Sequence, residues 1–525
     1  MRHVGPKQPR LFSRIFSLVT AGAITLSGLL ATDAAAEIKV SPVFGDSMVL
    51  QRDQPIHVWG WVESGASVTV SMDDRSISTE ANDEGRFDVS LPSMSAGGPH
   101  SLTISSGKES KTFADVLIGE VWVCSGQSNM QWRVANSNHA DVEIASANYP
   151  NLRLIAVPNV AAREPANDFN GSWEACTPDS VQGFSAVGYF FGRTIHQTLG
   201  VPVGLINNAW GGSAAEAWVP EETLAEAPEM YDPLLERWEK LSTNYDFEAE
   251  LAKYEERRQK WVANGKKGAS PRRPRNQLTG NHRPGNLYYG VLNPIIGYSI
   301  RGTIWYQGES NSSRAFQYRD LFPRMITKWR SDWNQGDFPF YWVQLADFRV
   351  EVEEPGMSDW AELREAQTMA LSLPNTGQAV IVDAGEGKDI HPTDKQTVAM
   401  RLARLALTKD YGYKFASESP RLKEVRFEDG KALIDFELVG AGLETFDVQE
   451  TLGFTIAGDD QVFYNADGKI IDSDTIQVQS TSVEQPVAVR YGWADNPIVN
   501  VQSKEGLPLT PFRTDTWPGK TDAQR

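Results

Sequence analysis

The chain has 525 residues, a formal net charge of −18 at neutral pH and two cysteines, Cys124 and Cys176. Such an acidic chain is a poor partner for nucleic acid or an anionic membrane surface, and its length is enough for two or three domains with a large core. Two cysteines make a disulfide framework unnecessary. They could pair in an oxidising compartment, but burial of Cys124 as a free thiol is an equal alternative.

Residues 1–36 have the pattern of a secretory signal peptide. Arg2, Lys7, Arg10 and Arg14 precede an apolar stretch over residues 15–31, and three alanines stand before Glu37. We therefore predict cleavage before Glu37 and a secreted protein, periplasmic or extracellular. An uncleaved membrane anchor is the alternative, but the apolar run is short and interrupted. No later stretch is apolar enough to span a bilayer, so no integral membrane segment is expected after cleavage.

Residues 37–114 alternate short apolar segments with turn sequences such as Glu63-Ser64-Gly65 and Asn82-Asp83-Glu84-Gly85. This pattern predicts an N-terminal β-sandwich domain over residues 37–114. The predicted strands are 56–62, 67–71, 86–91 and 101–104.

Residues 115–411 change to apolar runs that alternate with helical periodicity. This alternation indicates an α/β domain, with a parallel sheet and helices on both of its faces. The predicted strands are 121–124, 203–207, 302–306, 341–345 and 379–382, and the clearest helices are 185–199 and 360–373.

A charged segment at about 221–284 interrupts this rhythm, first helical and then basic and irregular. We predict an inserted helical hairpin and loop, either a lid over the site or a solvated excursion. Strands return at 422–427, 432–438, 475–478 and 487–491, so residues 412–525 are predicted to form a C-terminal β-rich domain.

Ser128 stands where an apolar strand runs into a tight polar turn, Gly126-Gln127-Ser128-Asn129. Ligands of open α/β folds bind at the carboxyl edge of the sheet, so Ser128 is a candidate nucleophile. A free hydroxyl needs an adjacent base to take its proton. His391 is the candidate base, because it combines a nearby carboxylate, Asp389, with a loop after the last predicted core strand.

Two further loops at the same edge could stabilise a developing oxyanion. Trp210-Gly211-Gly212 follows the strand 203–207, and a glycine lets a backbone N–H approach a reacting carbonyl closely. Gln307 follows the strand 302–306, and its side-chain amide can donate a second hydrogen bond.

Plainer interpretations compete with these motifs. The turn at Ser128 could be an ordinary one, Asp389 could cap a helix, and Ser213 and Ser310 are rival nucleophiles without an evident base. The missing second glycine after Ser128 is unlike the nucleophile elbow of α/β-hydrolases. No cluster of His, Asp and Glu has zinc-ligand spacing, so no metal site is expected.

Taken together, the motifs resemble those of the sialate O-acetylesterase family, which belongs to the SGNH hydrolase superfamily. The resemblance extends over nearly all of the chain after residue 36. It rests on Gly126-Gln127-Ser128-Asn129-Met130, Trp210-Gly211-Gly212, Trp305-Tyr306-Gln307-Gly308-Glu309 and Asp389-Ile390-His391-Pro392, with Phe44-Gly45-Asp46-Ser47-Met48 and Leu363-Arg364-Glu365-Ala366-Gln367 as flanking matches.

This resemblance implies a flavodoxin-like, three-layer αβα catalytic domain over residues 115–411, flanked by all-β domains, that works without a metal or cofactor. Ser128 would be the nucleophile and His391 the base. The backbone N–H groups of Ser128 and Gly212 and the side chain of Gln307 would form the oxyanion hole. The motif residues predicted to contact the substrate are Gln127, Trp210, Tyr306, Glu309 and Asn311.

One position departs from the superfamily pattern, which usually places an acid three residues before the histidine. Lys388 stands there, and Asp389 lies two residues before His391 instead. Two arrangements therefore remain open: a triad completed by Asp389, and a Ser-His dyad in which a backbone carbonyl holds His391.

The sequence as a whole predicts a secreted serine esterase that removes O-acetyl groups from sugars, with an O-acetylated sialate as the first candidate substrate. An acetylesterase acting on plant polysaccharide, xylan or pectin, is the nearer alternative. A noncatalytic carbohydrate-binding protein is the alternative from another class, with Trp132, Trp210, Trp218, Tyr288 and Tyr306 as a sugar platform. Arg283, Arg314 and Arg364 are candidate partners for a substrate carboxylate.

Overall fold

The structure is a computed structural model that describes residues 37–524, so the predicted signal peptide at 1–36 lies outside the described residues. Within the described range, the helices are all too short or too polar to cross a membrane.

The N-terminal region is built from β-strands, and its last strand continues into the centre of the molecule. β3 pairs with β4 and β6, β6 and β1 pair with β7, and β2 and β5 form a separate two-stranded sheet. β7 therefore runs through the predicted boundary at 114/115 and belongs to both regions. The strands are β1 (Val49–Gln51), β2 (Ile56–Trp61), β3 (Ser67–Met72), β4 (Arg75–Glu80), β5 (Arg86–Leu91), β6 (Gly97–Ser106) and β7 (Glu109–Gly126).

Glu120 ties these two regions together from the middle of β7. Its fully buried carboxylate accepts hydrogen bonds from Arg52 Nε at 2.5 Å, from Arg301 Nε at 2.7 Å and from Tyr411 Oη at 3.0 Å. Burial disfavours the charged form, but the two guanidinium groups outweigh it and keep the pKa of Glu120 below its ordinary value.

The central sheet has the strand order β13-β12-β11-β7-β10-β8-β9. Its members pair in parallel, apart from β9, which is antiparallel to β8. Numbered in chain order, the six parallel strands have the order 2-3-1-4-5-6, so the sheet extends to both sides of β7 as in a doubly wound sheet. The added strands are β8 (Tyr149–Ala156), β9 (Glu174–Cys176), β10 (Val203–Asn207), β11 (Gly302–Tyr306), β12 (Phe340–Val343) and β13 (Thr376–Ala379).

Helices cover both faces of this sheet, because the buried strands are apolar on both sides. Trp122 and Cys124 of β7 pack with α4 and α10, whereas Val121 and Val123 belong to the core beneath α8 and α9. The predicted α/β class with flanking β regions is thereby confirmed. The helices are α1 (Ser128–Gln131), α2 (Ala140–Ala145), α3 (Pro178–Val181), α4 (Ala186–Leu199), α5 (Glu221–Ala225), α6 (Pro228–Asn244), α7 (Phe247–Ala263), α8 (Ala315–Trp333), α9 (Asp359–Met369) and α10 (Lys395–Lys409).

The insertion at about 221–284 contains two long helices, α6 and α7, in the segment where the sequence predicts a helical hairpin. α6 buries Tyr231, Leu234 and Trp238, whereas α7 has no buried residue. The insertion returns to the sheet through Asn281, whose Nδ2 donates to the carbonyl of Gly211 at 2.7 Å. The outer helix α7 is thus solvated, and the last residues of the insertion contact a loop at the carboxyl edge of the sheet.

The C-terminal region forms further antiparallel sheets, β14-β15-β20-β19, β16-β22 and β18-β17-β21-β23. Its last residues pack against α9, where Lys520 Nζ pairs with Asp359 and Arg513 pairs with Glu365. The strands are β14 (Arg421–Glu428), β15 (Lys431–Glu437), β16 (Leu443–Thr445), β17 (Phe454–Ala457), β18 (Phe463–Asn465), β19 (Asp467–Asp472), β20 (Thr475–Gln479), β21 (Ala488–Tyr491), β22 (Val501–Ser503) and β23 (Phe512–Arg513).

Both cysteines are buried free thiols, so the alternative of a disulfide is wrong. Cys124 lies in β7 and Cys176 in β9, and two strands, β10 and β8, separate β7 from β9 in the sheet.

Candidate active site

Ser128 lies at the carboxyl end of β7, immediately after the strand leaves the sheet. Gly126 has a φ of +133°, and a Cβ there would lie 2.2 Å from the carbonyl oxygen of Tyr306 in the neighbouring strand. A glycine is therefore required at 126. Gln127 N donates to the same carbonyl at 2.9 Å, and Ser128 begins α1. The turn is fixed by β11 and presents the serine at the sheet edge.

His391 meets Ser128 from the loop between β13 and α10. Its Nε2 lies 2.8 Å from Ser128 Oγ, a normal hydrogen-bond distance. The imidazole stacks on the indole of Trp132, with ring centroids 5.2 Å apart and an interplanar angle of 16°. This partial burial lowers the pKa of His391 below its ordinary value, although the Asp389 carboxylate opposes the shift. The neutral form, which can accept a proton, is therefore favoured.

Asp389 lies on the Nδ1 side of His391, where an orienting acid is expected, but its carboxylate is far from Nδ1 for a hydrogen bond. Its Oδ1 accepts a hydrogen bond from the backbone N–H of His391 at 2.9 Å and lies 3.4 Å from Nδ1 of the same residue. The carboxylate is 55% exposed. The second distance is longer than an ordinary hydrogen bond, so Asp389 holds the His391 backbone more closely than it holds the imidazole.

A buried polar network lies behind the histidine loop, with Asn129 at its centre. Asn129 Nδ2 donates to the carbonyl of Ile390 at 3.0 Å and to Glu309 Oε1 at 2.6 Å, and Asn129 Oδ1 accepts from Lys395 Nζ at 2.6 Å. Burial lowers the pKa of Lys395 to about 7, against the attraction of Glu309, and burial raises the pKa of Glu309. The residue after the candidate nucleophile thus anchors the residue before the candidate base.

The Gly211-Gly212 loop approaches Ser128 from β10. Gly211 N donates to Gln131 Oε1 at 2.8 Å, and a Cβ on Gly211 would lie 3.5 Å from Cβ of Ser128. Gly212 has a φ of +71°, a conformation that favours glycine. Within residues 37–524, the N–H groups of Ser128 and Gly212 have no hydrogen-bond partner. Both are available to a ligand at this edge.

The structure does not place the Gln307 amide as an oxyanion donor, which corrects the expectation from the sequence. Gln307 is fully buried, and its Nε2 donates to the carbonyl of Ser213 at 3.1 Å and to Asn311 Oδ1 at 2.7 Å. Its Oε1 accepts from Tyr318 Oη at 2.9 Å. Because both amide hydrogens are already used, Gln307 fixes the loop after Gly212 and has no hydrogen left for a substrate.

Several residues that the sequence assigns to substrate contact are instead structural. Gln127 is 3% exposed, and its Oε1 accepts from the N–H groups of Gly308 and Ser310. Tyr306 is fully buried, and Asn311 bonds the buried Glu216 at 2.9 Å. Glu309 belongs to the network behind the histidine. Trp210 is half-buried and lies on the Gly211-Gly212 loop, next to the site.

The rival assignments fail for similar reasons. Ser213 is fully buried and its Oγ accepts from Trp218 Nε1 at 3.0 Å, while neither Ser213 nor Ser310 contacts a described histidine. Trp218 is also fully buried, and Tyr288 is 7% exposed, so neither can form a sugar platform.

The carboxylate-binding arginines that the sequence suggests are also engaged elsewhere. Arg314 forms an ion pair with Glu216 at 2.5 Å, and Arg283 lies 3.7 Å from Glu221 in the insertion. Arg364 is fully buried, and its guanidinium donates to the backbone carbonyls of Leu345, Ala346, Ala494 and Asp495.

An open cleft of about 630 Å³ contains both Ser128 and His391. Sequence reasoning missed most of its lining, including Arg133. A signal for this was present, because Trp132 and Arg133 follow the Ser128 motif within a few residues. The other lining residues are Gln131, Trp132, Asn136, Ala156, Val157, Pro158, Asn159, Gly183, Asn207 and Ala209. No cluster of three or more His, Cys, Asp or Glu side chains in residues 37–524 is arranged to hold a metal ion.

This chain is similar to one family profile and to several known proteins that are named as acetylesterases. The family profile described as "Carbohydrate esterase, sialic acid-specific acetylesterase" matches residues 118–251 and 285–408, on either side of the last part of the insertion. The mouse sialate O-acetylesterase is 30% identical over 73% of this chain and 76% of its own length. The human sialate O-acetylesterase is 27% identical over 94% of this chain and 97% of its own length.

A solved structure agrees with these sequence matches. The crystal structure of a carbohydrate acetylesterase from Xanthomonas citri covers 92% of this chain and 100% of its own, with 36% identity and a TM-score of 0.78. The likeness extends over the flanking β regions as well as the central sheet. On these grounds the chain belongs to the carbohydrate esterase family of sialic acid-specific acetylesterases.

Proposed function

We propose that this protein hydrolyses O-acetyl esters of sugars, with O-acetylated sialates as the first candidate substrates, through an acyl-enzyme on Ser128. The observation that carries the proposal is the 2.8 Å contact between Ser128 Oγ and His391 Nε2 in an open cleft. The contact supplies a nucleophile with its base, which acyl transfer needs and sugar binding does not. The names of the related acetylesterases support the choice of an acetylated carbohydrate.

In the first half of the reaction, Ser128 Oγ attacks the acetyl carbonyl carbon while His391 Nε2 takes the hydroxyl proton. The negative charge on the carbonyl oxygen is stabilised by the free N–H groups of Ser128 and Gly212. Collapse of the tetrahedral intermediate breaks the bond between the carbonyl carbon and the sugar oxygen. The imidazolium then protonates the departing sugar hydroxyl, and acetyl-Ser128 remains.

The second half repeats these steps with water as the nucleophile. His391 takes a proton from the water, which attacks the acetyl-Ser128 carbonyl, and the imidazolium returns the proton to Ser128 Oγ as acetate leaves. The unprotonated imidazole is required at both starting points, and burial against Trp132 favours it.

Asp389 acts in this scheme mainly as a backbone support for His391 and as a distant partner of its Nδ1 proton. We propose an arrangement between a full triad and a dyad, because Oδ1 lies closer to the backbone N–H than to Nδ1. Asp389→Asn should therefore cost less activity than Ser128→Ala or His391→Ala. Equal losses in the three variants would favour a full triad.

The direct test is acetate release by the purified protein and by Ser128→Ala. The substrates are p-nitrophenyl acetate, O-acetylated N-acetylneuraminic acid and acetylated xylan oligosaccharides. Release from the sialate that disappears in the variant would establish the proposed activity. Preferential release from xylan would favour the plant-polysaccharide alternative, and no release by the folded protein would favour the carbohydrate-binding alternative.

We also propose export after cleavage before Glu37, supported by the basic and apolar pattern of residues 1–36. N-terminal sequencing of the protein recovered from periplasm or medium tests this directly. A recovered chain that still begins with Met1 would contradict it.

A further inference from the structure

We propose that Arg133 selects acetylated sugars that carry a carboxylate, by pairing with that group at the wall of the cleft that contains Ser128. This inference rests on the proposed esterase function and adds the charge class of its substrate. Sialates and uronic acids share the required chemistry, a sugar ring with an ionised carboxylate.

The backbone at Arg133 is held firmly beside the catalytic pair. Trp132 O accepts from Ala186 N at 2.7 Å, Val134 N donates to Phe184 O at 3.1 Å, and Arg133 forms an antiparallel bridge with Ser185. Trp132, the preceding residue, stacks on the imidazole of His391. A short segment with a well-bonded backbone therefore carries both the ring that stacks on the base and Arg133, a residue of the cleft lining.

The guanidinium is free to take an anion. The side chain of Arg133 is exposed, and within residues 37–524 no carboxylate forms an ion pair with it. The lining of the cleft contains no Asp or Glu, so Arg133 is its permanent charge and His391 its titratable one. In a chain with a net charge of −18, an unpaired arginine in such a cleft provides a local attraction for an anionic ligand.

The guanidinium also has the right chemistry for a carboxylate, because its planar fork can donate two parallel hydrogen bonds. The cleft volume of about 630 Å³ lies within the range of small-molecule sites. A sugar acid whose acetyl group reaches Ser128 could place its carboxylate at the wall. Arg283, Arg314 and Arg364, the arginines suggested by sequence, are engaged outside this cleft.

The test compares each acid with its own methyl ester, which removes the charge and leaves the acetyl group in place. We would measure kcat/KM for O-acetylated N-acetylneuraminic acid and its methyl ester, and for O-acetylated galacturonic acid and its methyl ester. The wild type should prefer at least one acid over its methyl ester by about tenfold, the effect of one charge-assisted hydrogen-bonded pair. The preferred pair identifies the sugar.

Arg133→Gln should bring that ratio close to one, mainly through a higher KM for the acid. Arg257→Gln is the matched control, because Arg257 is an exposed arginine on the outer helix α7 of the insertion. It removes the same charge from the protein and should leave the ratio unchanged.

Two results would overturn the assignment: a wild-type ratio near one, or an unchanged ratio in Arg133→Gln, which means that the acid and its ester lose activity equally. The failure of both sugars as substrates would also overturn it. Hydrolysis of p-nitrophenyl acetate that depends on Ser128 tests the esterase function separately, so the two failures can be told apart. Circular dichroism would verify that each variant is folded.

Discussion

Replacement of Asn129 by alanine should damage catalysis without removing any group that touches the substrate. Asn129 does not line the cleft, but its amide holds the Ile390 carbonyl at 3.0 Å and the Lys395 ammonium at 2.6 Å. These contacts fix the backbone next to His391 and satisfy a fully buried charge. Asn129 is therefore a positioning residue in the proposed mechanism.

The size of the effect follows from these contacts. A hydrogen bond to a charged group contributes roughly 1.5–3 kcal/mol, and the variant also leaves the Ile390 carbonyl without its donor. We expect Asn129→Ala to lower the free energy of unfolding by about 3 kcal/mol. Release of the loop should displace the imidazole, and a misplacement of about 1 Å costs roughly 10²-fold in rate.

The assay is steady-state hydrolysis of p-nitrophenyl acetate, combined with denaturant unfolding of the same preparations. The loss should fall on kcat rather than on KM, because the cleft lining is intact. Asn148→Ala is the control, since Asn148 is exposed and away from this network. A folded Asn129→Ala variant with kcat within about threefold of the wild type would refute the positioning role.

Three more predictions follow from the same structure. The kcat/KM for p-nitrophenyl acetate should rise with pH to a plateau, with an apparent pKa below the ordinary 6.5 of histidine. Asp389→Asn should lower that pKa further, because Asp389 stabilises the imidazolium. A higher apparent pKa in the variant would contradict this. Gln307→Leu should lower the free energy of unfolding by about 1–3 kcal/mol, because it breaks the buried hydrogen bonds to Asn311 and Tyr318. A loss of rate of roughly 10²-fold with unchanged stability would instead identify Gln307 as an oxyanion donor. Glu120→Gln should lower the free energy of unfolding by about 3–5 kcal/mol above pH 4.5, measured by denaturant unfolding. The difference from the wild type should shrink as the pH falls through the lowered pKa of Glu120. A difference that does not depend on pH would contradict the ion pairing.

The parts of the fold that sequence predicts well are those set by local pattern. The strands β10 (Val203–Asn207) and β11 (Gly302–Tyr306) have their predicted bounds, because apolar runs there end at polar or glycine-containing loops. α4 begins after Ser185, which caps it, and ends at Gly200 in the left-handed conformation. The last sheet strand is displaced, at Thr376–Ala379 rather than 379–382, because its pairing with β12 ends where Val343 meets Ala379.

In the site, too, local sequence pattern predicts some features, and tertiary contacts decide the others. The position of each motif after a predicted strand was enough to predict that Ser128 and His391 lie close together, because loops at one edge of a parallel sheet converge. The partners of a side-chain amide cannot be read in this way. Gln307 is satisfied by Asn311 and Tyr318, and only the packing of α8 against β11 brings that tyrosine to it.

The roles of charged residues were the hardest to predict from sequence, because the partner of an arginine depends on tertiary contacts. Arg364 lies in a family motif yet is buried against backbone carbonyls, whereas Arg133, which follows the Ser128 motif, lines the cleft without an ion-pair partner among residues 37–524. Lys395, the first residue of α10, is fully buried in the network behind His391, and no local pattern indicates that burial.

The most direct test of the proposed mechanism is to look for the acetyl group on Ser128 during turnover. Acid-quenched reactions with an acetyl ester, digested and analysed by peptide mass spectrometry, should show one acetyl group on the peptide that contains Ser128, and none in Ser128→Ala, which should also release no acetate. Acetate release that continues in Ser128→Ala at the wild-type rate would contradict the account.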